Sequence, residues 1–146
     1  MQPLQFLVPV GVLADFERAI AIAALVLVLV NMATRLLSYR KHRSQVEDGQ
    51  EDLSWYAPHI VSSLVLLFVS FMFLIVAPHG GMVLSVLVLG MVITDFFEFE
   101  ARNVEARNAL SLERPKAGLV ASVFVLLYAS YQALFFLIAP FWNAVI

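Results

Sequence analysis

Apolar residues gather along this chain in four long runs, over 19–38, 59–77, 81–97 and 117–139. Each is close to the ~20 mainly apolar residues that a helix needs to cross the hydrocarbon layer of a bilayer. The polar residues inside the runs recur at helical spacing. In the first run Asn31, Thr34, Arg35 and Ser38 fall on one side, and in the second His59, Ser62, Ser63 and Ser70 do, as a period of 3.6 requires. The pattern predicts an all-α membrane protein with four transmembrane helices, folded as one antiparallel up-down bundle over 1–146. In PHGG, residues 78–81, proline is expected to end the second helix and two glycines to allow a tight reversal. The opening QPLQFLVPVGVLADF is broken by Pro9 and Gly11. It reads as an interfacial outer segment over 1–17, with Asp15 capping the first helix. Polar loops are expected over 39–58 and 98–116, the first passing from a basic half, which faces anionic headgroups, to an acidic half.

Charge orients the bundle. Of nine basic residues, Arg35, Arg40, Lys41, Arg43, Arg102, Arg107, Arg114 and Lys116 flank the side shared by the first and third loops, and only Arg18 falls opposite. By the positive-inside rule both loops are expected in the cytoplasm and both termini outside. Trp55 and Tyr56 before the second run, and Phe141 and Trp142 after the fourth, suit the bilayer interface. Composition agrees with the class: 62% hydrophobic, 14% charged and mean hydropathy +0.89, far from the soluble norm. A net charge of −2 gives no basic face for nucleic acid. With Arg18 as the first basic residue there is no charged region of a signal peptide, so the N-terminus is expected to stay on the mature protein, and no lipidation signal is read.

The densest charge lies in DFFEFEARNVEARN, residues 95–108. Asp95, Glu98, Arg102 and Glu105 share one helical stripe, with Arg102 placed to pair with both Glu98 and Glu105 and so extend the third helix beyond the membrane. Glu100, Arg107 and Asn108 fall on other faces, available to a partner. Charges at membrane depth cost ~2.5 to 3.5 kcal/mol each to insert and so seek partners or water. The cytoplasmic ends of helices one, two and three bring Arg35, His59, Asp95 and Glu98 within reach of one another. Two readings follow: a structural cluster that holds the helices together through interhelical bonds, or an ion or proton site in which His59 titrates near neutral pH. Further out, helix four offers Tyr128, Tyr131 and Gln132, each expected to make one interhelical bond. The small residues Gly118, Ser122, Ala129 and Ala133 on helix four, with Gly81 and Ser85 on helix three, favour close packing within the bundle or against another subunit.

Chemistry is sparse elsewhere. The chain has no cysteine, which removes disulfides, thiolate metal sites and thiol mechanisms. His59 and His79, at opposite ends of the second helix, are ~30 Å apart and unsuited to one haem. His42 is read in the polar loop and His79 as a turn residue. No HExxH, paired ExxH, GxSxG or glycine-rich phosphate loop occurs. No catalytic residue, metal or cofactor is expected.

The strings PHGGMVLSVLVLG, DFFEFEARNVEARN, LERPK and YQALFFLIAPFW extend the comparison to the whole chain, which resembles a group of small four-span membrane proteins of halophilic archaea classified as a family of unknown function. The resemblance implies an archaeal plasma-membrane protein and assigns no site. The expected function is that of a non-enzymatic, multi-pass membrane protein. It is read as an accessory or structural subunit or a homo-oligomer, whose partners are the bilayer and itself or another membrane protein. The alternative is a small ion or proton transporter or channel using Asp95, Glu98, His59 and Arg35.

Overall fold

The computed structural model describes residues 16–145, apart from the side chain of Phe136. Those residues form four helices: α1 (Glu17–Glu47), α2 (Ala57–Val76), α3 (Pro78–Arg107) and α4 (Lys116–Val145). All four are long and apolar enough to cross a membrane, which fits a multi-pass membrane protein. The expectations for residues 1–15, including the cap from Asp15, lie outside the described residues. Phe16 stands at the N-cap of α1 without a side-chain cap bond, and Glu17 is the acid of the first turn, where a carboxylate favours the positive end of the helix dipole.

Both odd-numbered helices run past their apolar segments. The connector expected over 39–58 begins only after Glu47, because residues 39–47 continue α1. The reason lies in which side chains they bury. His42 and Val46 continue the inward face, and Val46 packs with Leu112 onto a small second core of Leu53, Phe99 and Ala106. A hydropathy argument sees a mostly polar stretch there; the tertiary contact decides. α1 stops where Gly49 takes φ 85°: the N–H groups of Gly49 and Gln50 donate back to the carbonyls of Val46 and Gln45, the left-handed stop that glycine favours. α3 ends in the same bonding pattern, with Ala109 and Leu110 donating to Ala106 and Glu105, but there the left-handed residue is Ala109, φ 54°. α4 runs through Pro140 to Val145, past the expected end at 139.

The turn at PHGG differs from its expectation. Ala77, at φ −136° and ψ 82°, makes the break, while Pro78 opens α3 at its first position, where a missing N–H costs nothing. Gly80 and Gly81 are helical. Their role is close approach, since a Cβ on Gly81 would stand 2.0 Å from Leu74 Cα. Glycine there lets α3 lie against the backbone of α2.

The helices pack as a ring, α1 on α2 and α4, and α3 on α2 and α4. Ala21, Ala24, Val28, Leu66, Phe73, Leu84, Val88, Met91, Val125, Ala129 and Ala133 share one buried cluster. The small-residue stripe of α4 is therefore spent inside the bundle: Ser122, Ala129 and Ala133 are fully or almost fully buried. Large apolar side chains such as Phe68, Val86 and Leu127 are more than half exposed, and charged and amide side chains are buried at one end. That distribution suits lipid as the surrounding solvent.

Candidate functional site

The buried polar groups converge at the end of the bundle formed by the C-terminal half of α1, the first turns of α2, the later turns of α3 and the start of α4. On α1, Asn31, Thr34, Arg35, Ser38 and His42 are all buried. They sit at i, i+3, i+4, i+7 and i+11, one continuous inward stripe.

Asn31 binds α1 to α2, donating from Nδ2 to Ser62 Oγ (3.0 Å) and Ser63 Oγ (2.9 Å). Its Oδ1 accepts from Arg35 Nη2 at 2.7 Å. Arg35, 1% exposed, crosses to α3 and grips Asp95 with both arms, Nε to Oδ1 at 2.8 Å and Nη2 to Oδ2 at 2.7 Å. This planar fork is the geometry that makes arginine the residue for buried carboxylates. His59 on α2 completes the group, with Nε2 3.1 Å from Asp95 Oδ2 and Nδ1 2.9 Å from Thr34 Oγ1. Nε2–H must donate to the carboxylate. In that tautomer Nδ1 accepts from the Thr34 hydroxyl, whose oxygen also lies 2.9 Å from the Asn31 carbonyl.

Glu98 takes a different course. Its carboxylate accepts the backbone N–H of Gly118 and so draws the first turn of α4 onto α3. A Cβ at Gly118 would fall 2.4 Å from Glu98 Oε1, 2.6 Å from Asp95 Oδ1 and 2.9 Å from Arg35 Nε. Glycine at that position is what lets α4 close the ring.

One turn further along, a second node forms. Arg102 Nη1–H donates to His42 Nδ1 at 3.3 Å, and His42 Nε2–H donates to the Ser54 carbonyl at 2.8 Å. Since guanidinium only donates and a carbonyl only accepts, the neutral Nε2–H form of His42 is the one that satisfies both. Burial pushes His42 below the ordinary histidine range, and the positive charges of Arg102 and Lys41 add to this against the bond to Ser54. Asn103 Oδ1 accepts the Leu53 N–H at 2.9 Å, and Trp55 stacks on Phe99 with centroids 3.7 Å apart. The connector between α1 and α2 is thus strapped across both extensions.

Arg35, His59 and Asp95 come together as the sequence anticipates, with Glu98 beside them but bonded elsewhere. The ladder expected from Glu98 through Arg102 to Glu105 is not formed. Arg102 turns to His42 and to the ring of Tyr39, while Glu105 accepts the Glu113 N–H. Of the faces read as free, Glu100 is exposed, Arg107 pairs with Asp52 at 3.0 Å, and Asn108 Nδ2 donates to Val104 O. His42 and Asn103 are the residues that sequence reasoning missed. The stripe from Asn31 to Ser38 continues at the same spacing to His42, and would have pointed to it. Gln132 bonds Tyr128 of its own helix at 2.9 Å rather than a neighbour. Among the described residues no group of three histidine or carboxylate side chains is placed to hold a metal ion.

Away from this end the buried side chains are mainly apolar, with Ser70, Ser85 and Ser122 among them. Val28, Leu66, Val88, Met91 and Val125, one each from α1, α2 and α4 and two from α3, are fully buried and pack directly behind Asn31 and Asp95.

Residues 2–146 match a family model described as a domain of unknown function, DUF7313, and the chain belongs to that family. No curated protein and no solved structure matches it.

Proposed function

We propose that this member of the family is a non-enzymatic, multi-pass protein of the plasma membrane. In this reading it is an antiparallel up-down bundle with both termini outside, serving as an accessory or structural subunit or assembling with copies of itself. The distribution of its basic residues at the polar end supports a cytoplasmic placement of that end. The observation that carries the reading is how the buried charge is spent. Arg35, Asp95, His59, Glu98 and Arg102 are all engaged in bonds between helices or to the connector, and the core next to them, with Val28, Leu66, Met91 and Val125, is mainly apolar and carries no further buried charge. An ion path would need polar groups continuing through that core.

What remains for recognition lies on the outside of the α3 extension. Glu100 and Asn108 are exposed there, with Val104 and Leu110 about half exposed beside them. These apolar groups stand beyond the hydrocarbon layer, where a protein partner would cover them.

The test is purification of the tagged protein from its own membranes in mild detergent, with the mass of the intact particle determined. A stoichiometric companion, or a defined number of copies, is expected. Glu100→Ala with Asn108→Ala and Val104→Ser should release it without lowering Tm. Proton or ion flux in proteoliposomes that Asp95→Asn abolishes would overturn the reading in favour of transport.

A further inference from the structure

A groove of about 370 Å³ lies between the extension of α1 and the connector that leads into α4. Val46 and Leu112, which pack onto the small second core, form its apolar side. Tyr39 lines it as well and donates its hydroxyl to the Leu112 carbonyl at 3.3 Å. Arg43 comes to it from α1 and Arg114 from the connector, with Glu47 one turn beyond Arg43 and Ser111 on the connector. The groove stands level with the membrane edge. Tyr39 directly follows the apolar run over 19–38, and Arg114 stands just before the run over 117–139. Leu36, three residues before Tyr39 and 46% exposed, continues this face of α1 into the hydrocarbon layer.

Within the groove two guanidinium groups meet one carboxylate. Arg114 and Ser111 are exposed, and their side chains make no hydrogen bond or ion pair among the described residues. Arg43 has only Glu47, at 3.5 Å and with both groups about two-thirds exposed, a pairing worth little in water. Across the connector, Glu98 and Glu105 accept the backbone N–H groups of Gly118 and Glu113, and Glu113 itself is exposed. Arg40, three residues before Arg43 and also exposed, adds positive charge on the same side of α1. Planar guanidinium groups with a hydroxyl donor nearby are the chemistry that recognises phosphate. From this we propose that the groove holds the phosphodiester of an anionic phospholipid between Arg43 and Arg114, with Ser111 donating to it and the acyl chains descending past Leu36. Lipid is the source of that phosphate because the groove stands where headgroups are concentrated and its lower end meets a hydrocarbon-facing side chain. The inference goes beyond the structural role proposed above and does not depend on which partner the α3 extension meets.

The experiment titrates phosphatidylglycerol or phosphatidylcholine into the purified protein in a neutral detergent, with bound lipid counted by native mass spectrometry and Tm followed alongside. A single phosphatidylglycerol per chain is expected, with a saturable rise in Tm at a mole fraction where phosphatidylcholine has no effect. Arg43→Gln with Arg114→Gln should keep its Tm in lipid-free detergent, since both side chains are exposed. It should raise the midpoint roughly 25-fold, about fivefold for each arginine. Lys41→Gln with Arg107→Gln removes as much charge outside the groove and should leave the midpoint within about twofold of wild type, as screening confines the effect of distant charges. Equal binding of the two lipids, a midpoint that the groove pair does not shift, or an equal shift in the Lys41 and Arg107 variant would each overturn the proposal. The same rise in Tm with sodium phosphate alone, at matched ionic strength, would also overturn it and give the groove to free phosphate.

Discussion

The two halves of the bundle are built from the same four helices and held by different forces. In the apolar half, shape does the work: Gly81 lies against Leu74, Ala129 and Ala133 let α4 close in, and Phe73 and Leu84 fill the space. In lipid such contacts gain dispersion but little from the hydrophobic effect, since acyl chains are as apolar as leucine. The polar half is held by directed bonds between named atoms, and burying them out of water carries a large desolvation cost that the pairing must offset. The apolar half therefore tolerates shape-conserving exchange, whereas the polar half fails when one member of a pair is removed.

The sharpest way to break that contrast is Asp95→Ala, which leaves Arg35 buried without its partner. A loss of about 3–5 kcal/mol is expected, read as thermal stability in detergent, and the double change Arg35→Met with Asp95→Leu should recover most of it. If the double variant is no better than the single, the node does more than balance charge. In the apolar half, Gly81→Val inserts atoms where the Leu74 backbone stands and should cost about 1–3 kcal/mol or more. Ala or Ser at Gly118 tests the junction of the halves, with loss of the α4 contact read as faster proteolysis after Arg114.

His42 gives a pH handle on the second node. Its proton affinity is lower in the folded protein, so the unfolded chain binds more protons as the pH drops. Its contribution to stability is complete above the ordinary histidine value, ~6.5, and is lost as pH falls from there toward the folded value. Tm should decline over that window in wild type and less so in His42→Gln. Smaller still, Ala109→Gly relieves the left-handed alanine at the end of α3 and should stabilise by about 0.5–1 kcal/mol. Removing the exposed Arg107–Asp52 pair should change stability by less than about 1 kcal/mol.

The four apolar runs made the class of the fold legible, because lipid imposes length and composition on a spanning helix. The meeting of Arg35, His59 and Asp95 was legible too, from helical spacing and from which helix ends share a side. What escaped was set by tertiary contact. Residues 39–47 look like a solvated linker until Val46 finds Leu53 and Phe99. Glu98 and Arg102 have ideal spacing for each other, yet each finds a partner on another element that also satisfies a buried group. The PHGG glycines read equally well as turn formers or as contact glycines, and only the position of Leu74 decides. Ala109 gives no local signal of a left-handed residue, whereas Gly49 does.

The bond from Arg35 to Asp95 joins residues sixty positions apart in the chain, and that separation bears on how the protein is made. As α1 and α2 leave the ribosome they can already form the Asn31–Ser62, Asn31–Ser63 and Thr34–His59 bonds. Arg35 has only Asn31 to turn to until α3 emerges. If insertion follows the order of the chain, the first helical pair carries a guanidinium without its carboxylate until α3 follows, and Arg35 is then the counter-charge that draws the acidic end of α3 into register.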